Sequence, residues 1–164
     1  MPKRTWITPE GEHISSAMPS TGYLPDAGTI ELTDWDGYFV QLSVELVNGR
    51  YRCNELRVRE GEAGKEITGE AIRNLSLSRM IREGVLHVRR FVRPPEAPTD
   101  VDEDLRKLQW VAEVYRFAYA VGDPPKQAVA EGLQVSPATA GRWIARSRKA
   151  GLLGPAEGPG RAGG

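Results

Sequence analysis

The ten residues Tyr38–Val47 alternate without a break between an apolar row and a mixed row. Tyr38, Val40, Leu42, Val44 and Leu46 form the apolar row; Phe39, Gln41, Ser43, Glu45 and Val47 form the other. A period of two places each row on its own side of a strand, so the segment belongs in a sheet with one buried face. Asn48-Gly49 follows at once, and both residue types tolerate the positive φ that a two-residue hairpin turn requires. Such a turn sets Leu46 opposite Tyr51 and Val44 opposite Cys53. Beyond Cys53 the apolar parity changes to Leu56 and Val58. One extra residue near Asn54–Glu55 restores the match, with Leu56 opposite Leu42 and Val58 opposite Val40. A β-bulge is expected there. Thr29–Thr33 has the composition of a third strand, and Thr5–Thr8 of a short one.

The flanks are less regular. Met1–Gly28 contains Pro2, Pro9, Pro19 and Pro25 and reads as an arm anchored by Trp6, Ile14 and Tyr23. Gly61–Lys65 is a loop. A phosphate-binding GxxxxGK[ST] would need glycine at position 59 and Ser or Thr at 66, where Arg59 and Glu66 stand. Ile67–Gly84 is helical in two pieces. Thr68 caps the first, with Glu70 in its first turn. One helix would set Leu77 about 160° from Ile72 at ~100° per residue, so the break falls near Ser76. Gly84 is expected to end the second piece, and Leu86–Val92 to form a closing strand. Arg89, Arg90 and Arg93 make a small basic cluster there, a solvated strand edge or a second phosphate contact.

Proline-rich RPPEAPT, Arg93–Thr99, divides the chain. The expected architecture is α+β. Residues 1–93 form a small domain of hairpin, sheet and helices, for dimerisation, partner binding or signal input. Residues 94–99 are a semi-rigid linker, 100–152 an all-α domain, and 153–164 a flexible Gly/Pro-rich tail. In the all-α part Asp100 and Glu103 make a capping-box pattern for a helix reaching Val121, stopped by Gly122-Asp123-Pro124-Pro125. Val101, Leu105, Leu108, Ala112, Tyr115 and Tyr119 lie on one side of that helix. Val111, Val114, Phe117, Ala118 and Val121, with Trp110, lie on the other. A helix apolar over more than half its girth needs two partners. One is the pair of helices that follows; the other is the N-terminal domain or a second copy of the chain. The near-heptad spacing favours a homodimer through Val101–Val121.

Lys126–Ala145, KQAVAEGLQVSPATAGRWIA, reads as a helix, a tight turn and a second helix. Val129, Leu133, Val135, Ala140 and Trp143 are apolar where crossed helices pack, and Ala130 is small where they approach. Ser136 can cap the second helix, with Pro137 at its first position, where a missing N–H costs nothing. VAEGLQVSPATAGRWI resembles the helix-turn-helix of the lactose-repressor type and its bacterial relatives, in the register VA, VS, T and the apolar pair Trp143–Ile144. It departs from them at the turn, where Gly is usual and Gln134 stands; at positive φ that costs roughly 1 kcal/mol. The resemblance implies binding of double-stranded DNA, with the second helix in the major groove. The family's base-reading positions fall on Ser136, Pro137, Ala138, Gly141, Arg142 and Ala145, with Thr139 beside them. Only Arg142 suits a bidentate contact to guanine. Arg146, Arg148 and Lys149 are expected on phosphates, and Arg161 of the tail is a candidate minor-groove contact. The ending is also similar to small helix-turn-helix proteins of actinobacteria and their phages and mobile elements.

Charge agrees with this division. The chain has 22 Lys+Arg and 22 Asp+Glu, a formal net charge of zero. Residues 1–99 carry 13 basic and 14 acidic groups, whereas residues 105–164 carry nine basic and four acidic. The basic surplus sits with the helix-turn-helix, as a phosphate-binding element requires. No apolar run approaches the ~20 residues of a membrane span. No secretory leader pattern follows Lys3 and Arg4, and the single Cys53 cannot make an internal disulfide. A cytoplasmic, nucleoid-associated protein is expected. His13 and His87 have no metal-ligand spacing partners, and no catalytic motif occurs, so neither enzyme activity, metal nor cofactor is expected. The expected function is transcriptional regulation in a bacterium or phage. The alternatives are an accessory DNA-binding factor for recombination, replication or packaging, or a protein-interaction module without DNA.

Overall fold

A computed structural model describes residues 4–14, 24–88 and 103–155. The chain divides into two compact units, Met1–Phe91 and Val92–Gly164. Strands β1 (Arg4–Ile7), β2 (His13–Ile14), β3 (Ala27–Trp35), β4 (Tyr38–Val47) and β5 (Arg50–Glu60) form one sheet of order β2-β1-β3-β4-β5. Every pairing is antiparallel. Helices α1 (Gly69–Asn74) and α2 (Leu77–Val88) complete the first unit. Helices α3 (Glu103–Val121), α4 (Pro125–Leu133) and α5 (Pro137–Lys149) lie in the second. The chain is thus α+β, a sheet followed by helices.

The central hairpin follows its sequence. Asn48 and Gly49 have φ of 51° and 75°, and Leu46 stands opposite Tyr51. Ser43 pairs with Glu55 and Val44 with Cys53, so Asn54 is the extra residue of the bulge. Leu42 then meets Leu56 and Val40 meets Val58. Tyr38, Val40, Leu42 and Val44 are buried, while Leu46, at the hairpin end, is half-buried. A second hairpin turn, Asp36-Gly37 with φ of 52° and 89°, joins β3 to β4.

Helix α2 packs on β1 and β3 and buries Met80, Ile81, Val85 and Val88. Thr68 caps α1 by accepting the Ala71 N–H, and the two helices break at Leu75-Ser76 as the apolar faces require. Gly84 does not end α2. It lies against Ile30 of β3, where an added Cβ would come within 2.4 Å of Ile30 Cγ2. The glycine serves close helix–sheet approach instead of termination. Leu86–Val88 are accordingly the last turn of α2 and not the start of a strand. Residues 89–102 lie outside those described, and with them Arg89, Arg90, Arg93, the linker 94–99 and the Asp100 cap. Trp6 of β1 is buried across Gly28, and its ring meets Tyr51 edge-on at 6.2 Å. Ile14 pairs with it from β2; Tyr23 lies outside the described residues.

In the second unit Val111, Ala112, Val114 and Tyr115 of α3 share a core with Val129, Ala130, Ala140 and Ile144. Ser147 is wholly buried and donates to the Leu108 carbonyl at 3.1 Å, fixing α5 on α3. Phe117, Ala118 and Val121 are buried too, while Leu105 is exposed. All three helices end on the same hydrogen-bond pattern. After α3, Asp123 N–H reaches Ala118 and Gly122 N–H reaches Tyr119. After α4, Val135 reaches Ala130 and Gln134 reaches Glu131. After α5, Leu152 reaches Ser147 and Gly151 reaches Arg148. Each is a Schellman closure with a left-handed residue at its corner: Gly122, Gln134 and Gly151 have φ of 84°, 54° and 73°.

The last closure corrects the extent of the tail. Leu153 is buried and Leu152 packs beside it on the α3–α5 core. Arg116 donates to the Leu152 carbonyl, and Arg148 Nε to that of Gly154 at 3.1 Å. Two adjacent leucines after a glycine corner bury enough apolar surface to fold the chain back. Residues 156–164, including Arg161, lie outside those described. Among the described residues no helix is long and apolar enough to cross a membrane.

Candidate nucleic-acid interface

The outward side of α5 is built from its N-terminus. Pro124 and Pro125 start α4 without a side-chain cap, and Gln134 closes it in the left-handed conformation. Val135 turns inward, and Ser136 then caps α5, its Oγ accepting the Thr139 N–H at 3.1 Å, with Pro137 in the first turn. At ~100° per residue Ala138, Arg142, Ala145 and Lys149 share one stripe. All four are exposed, as are Ser136 and Pro137. Gly141 and Thr139 flank the stripe and are half-buried. Ala140 and Ile144 face the core; Trp143, expected wholly inward, is half-buried at its edge.

The basic residues divide by what they touch. Arg142 Nη2 donates to Thr139 Oγ1 at 3.1 Å, along the helix surface. Arg146 Nη2 stands 2.7 Å from Asp104 Oδ2 in the first turn of α3, and its guanidinium lies 4.5 Å from the Trp143 ring centre. Lys107 Nζ lies 4.4 Å from the same ring. Arg148 is drawn inward: Nη2 donates to the Tyr115 hydroxyl at 2.8 Å, and Nε binds Gly154. Its guanidinium is a clamp between α3, α5 and the segment that follows α5, not a member of the outward stripe. Lys149 is exposed at the last turn.

One basic residue escaped the sequence reading. The aliphatic end of Lys126, in the first turn of α4, lies over Gly141: a Cβ there would meet Lys126 Cε at 3.4 Å. The signal was the absence of a side chain at position 141, which leaves room for a neighbour to cross α5. The outward face therefore has Arg142, Lys149 and Lys126 among small residues, with Arg146 held at its edge by Asp104. A surface of this kind can contact an anionic groove, with the small residues permitting close approach.

Among the described residues, no set of His, Cys, Asp and Glu is arranged to hold a metal ion. Burial raises the Cys53 thiol pKa above its ordinary value; a backbone hydrogen bond of Glu55 opposes this, and the Glu55 charge adds to it. A thiol so held is a poor nucleophile at neutral pH. No protein-family model, no curated protein and no solved structure matches this chain.

Proposed function

We propose that the second unit binds double-stranded DNA through α5, and that the protein regulates transcription in a bacterium or phage. The observation that carries this reading is the turn between α4 and α5. It is a Schellman closure running directly into the Ser136 cap, and it leaves an outward stripe of small residues around Arg142. A helix with Ala138, Gly141 and Ala145 outward can lie deep in a major groove, where Arg142 has the fork geometry for guanine O6 and N7. Lys149 and Lys126 lie where backbone phosphates would pass. Arg146 is a weaker phosphate contact in this reading, because Asp104 already neutralises part of its charge.

An enzyme is the less economical reading, since the sequence carries no catalytic motif. A cytoplasmic, nucleoid-associated protein follows from the DNA reading. The homodimer expected through α3 stays part of this proposal, with Leu105 exposed on that helix. An accessory factor for recombination, replication or packaging would present the same face. Selection of bound duplexes from a random pool, repeated at two salt concentrations, tests the proposal. Enrichment of a G-containing motif, with affinity falling steeply in salt, supports it. A pool that stays random, with no salt-dependent affinity, leaves the protein-interaction reading.

A further inference from the structure

We propose that Thr139 is a positioning residue, whose hydroxyl aims Arg142 at the base edge it reads; the inference rests on the DNA-binding reading of α5. Arg142 Nη2 lies 3.1 Å from Thr139 Oγ1, and Thr139 Oγ1 lies 3.0 Å from Ser136 Oγ. The direction of this chain is fixed by chemistry. A guanidinium has only donors, so Thr139 Oγ1 accepts from Arg142. The Thr139 proton is then free to be donated to Ser136 Oγ, which also accepts the Thr139 N–H at 3.1 Å. The capping serine thus anchors a threonine, and the threonine anchors an arginine, each one helical turn from the last.

The consequence is specific to Arg142. An unrestrained arginine loses side-chain freedom when it docks on a base; one already held loses less. A single Nη bond to Thr139 leaves other N–H donors of the fork for guanine. The positions nearest Arg142 on and beside that stripe, 138, 141 and 145, are Ala, Gly and Ala. Thr139, assigned by sequence to the DNA contacts, acts here through Arg142 instead of touching a base. Lys149 and Lys126 have no part in the relay, so it bears on base preference and leaves phosphate-driven affinity alone.

Thr139→Val removes the hydroxyl and keeps the shape; Thr139→Ser restores the hydroxyl. The probes are a duplex selected by the wild-type chain from a random pool and a scrambled duplex of the same composition. Thr139→Val should lower the preference between them about tenfold, with affinity for the scrambled duplex and the salt slope unchanged. Thr139→Ser should recover the preference. In the free proteins, the ¹⁵N order parameter of Arg142 Nε should fall in Thr139→Val and not in Thr139→Ser. Full preference in a folded Thr139→Val, under conditions where Arg142→Ala loses it, overturns the positioning role and leaves DNA binding intact. An equally ordered Arg142 in Thr139→Val overturns it as well. A wild-type chain with no salt-dependent affinity for either duplex overturns the DNA reading and this assignment together.

Discussion

Arg146 and Asp104 meet at 2.7 Å, joining the outer edge of α5 to the first turn of α3. Both side chains are about half exposed, at 50% and 56%, so the pair itself contributes at most about 1 kcal/mol. The Trp143 ring beneath the guanidinium adds a contact of similar size. The larger effect is on charge. A carboxylate beside Arg146 cancels part of the field that would draw a phosphate to this edge of α5.

The basic residues of α5 should therefore differ under salt titration. Lys149→Ala should weaken all duplexes about equally and reduce the salt slope by about one unit. Arg146→Ala should reduce it by less, because Asp104 already offsets part of the Arg146 charge. Asp104→Asn should raise non-specific affinity by releasing Arg146. Arg142→Ala should lose about 1–3 kcal/mol on the selected site and relax preference at one base pair. Unchanged affinity in Lys149→Ala, Arg146→Ala and Arg142→Ala alike would remove α5 from the interface.

Gln134 has φ of 54° at the corner between α4 and α5, where the other two helix ends have glycine. Its backbone N–H is bonded to the Glu131 carbonyl, and Val135 to Ala130, so the closure survives an unfavourable residue. Gln134→Gly should stabilise the second unit by about 0.5–1 kcal/mol, the left-handed strain relieved less the added chain entropy of glycine. Urea melts read it directly. A destabilised Gln134→Gly would mean that the exposed glutamine side chain makes a compensating contact.

The hairpin was legible in the sequence because its information is local. Alternation fixed the faces of β4, Asn48-Gly49 fixed the turn, and the parity change after Cys53 placed the bulge at Asn54. Asp36-Gly37 has the same turn chemistry, but the alternation before it is interrupted at Thr33-Asp34, and Asp34 is itself at φ 58°. The cap at Ser136 was likewise local. What escaped was set by distant partners. Arg148 has the charge expected of a phosphate contact, and only Tyr115 beside it shows it drawn inward; only Asp104 shows Arg146 to be paired. Gly84 has the composition of a helix stop, and only the nearness of Ile30 shows it to be a contact.

That contact makes Gly84 intolerant of the smallest addition. A Cβ at position 84 would lie 2.4–2.7 Å from three carbons of Ile30, whose side chain is wholly buried. In an exposed helix Gly→Ala gains about 1 kcal/mol. Here overpacking of about 1–3 kcal/mol should outweigh it, so Gly84→Ala should lower the melting temperature. Ile30→Ala alone should destabilise by about 2–5 kcal/mol through a cavity. The double variant should be less destabilised than the sum of the two, because the new methyl enters that space. Strict additivity in the double-mutant cycle would show that α2 shifts away from β3 instead.

The last prediction concerns acid. His87, in the last turn of α2, has its pKa held below the ordinary 6.5, first by burial and then by the positive charge of Arg4 on β1. Arg4 is kept close by its ion pair with Glu83, at 2.7 Å. The folded unit thus disfavours the imidazolium, and the unfolded chain takes up the proton first as pH falls. The stability that neutral His87 permits is fully present above about pH 6.5 and is lost as pH drops through the lower, folded value. The melting temperature should therefore fall between about pH 7.5 and 5.5. His87→Gln, which cannot titrate, should flatten that part of the profile. Glu83→Gln should loosen Arg4 and weaken its charge effect on His87. Melting curves for the three proteins across this range decide the matter, and identical pH profiles for wild type and His87→Gln would show that His87 plays no part in the acid response.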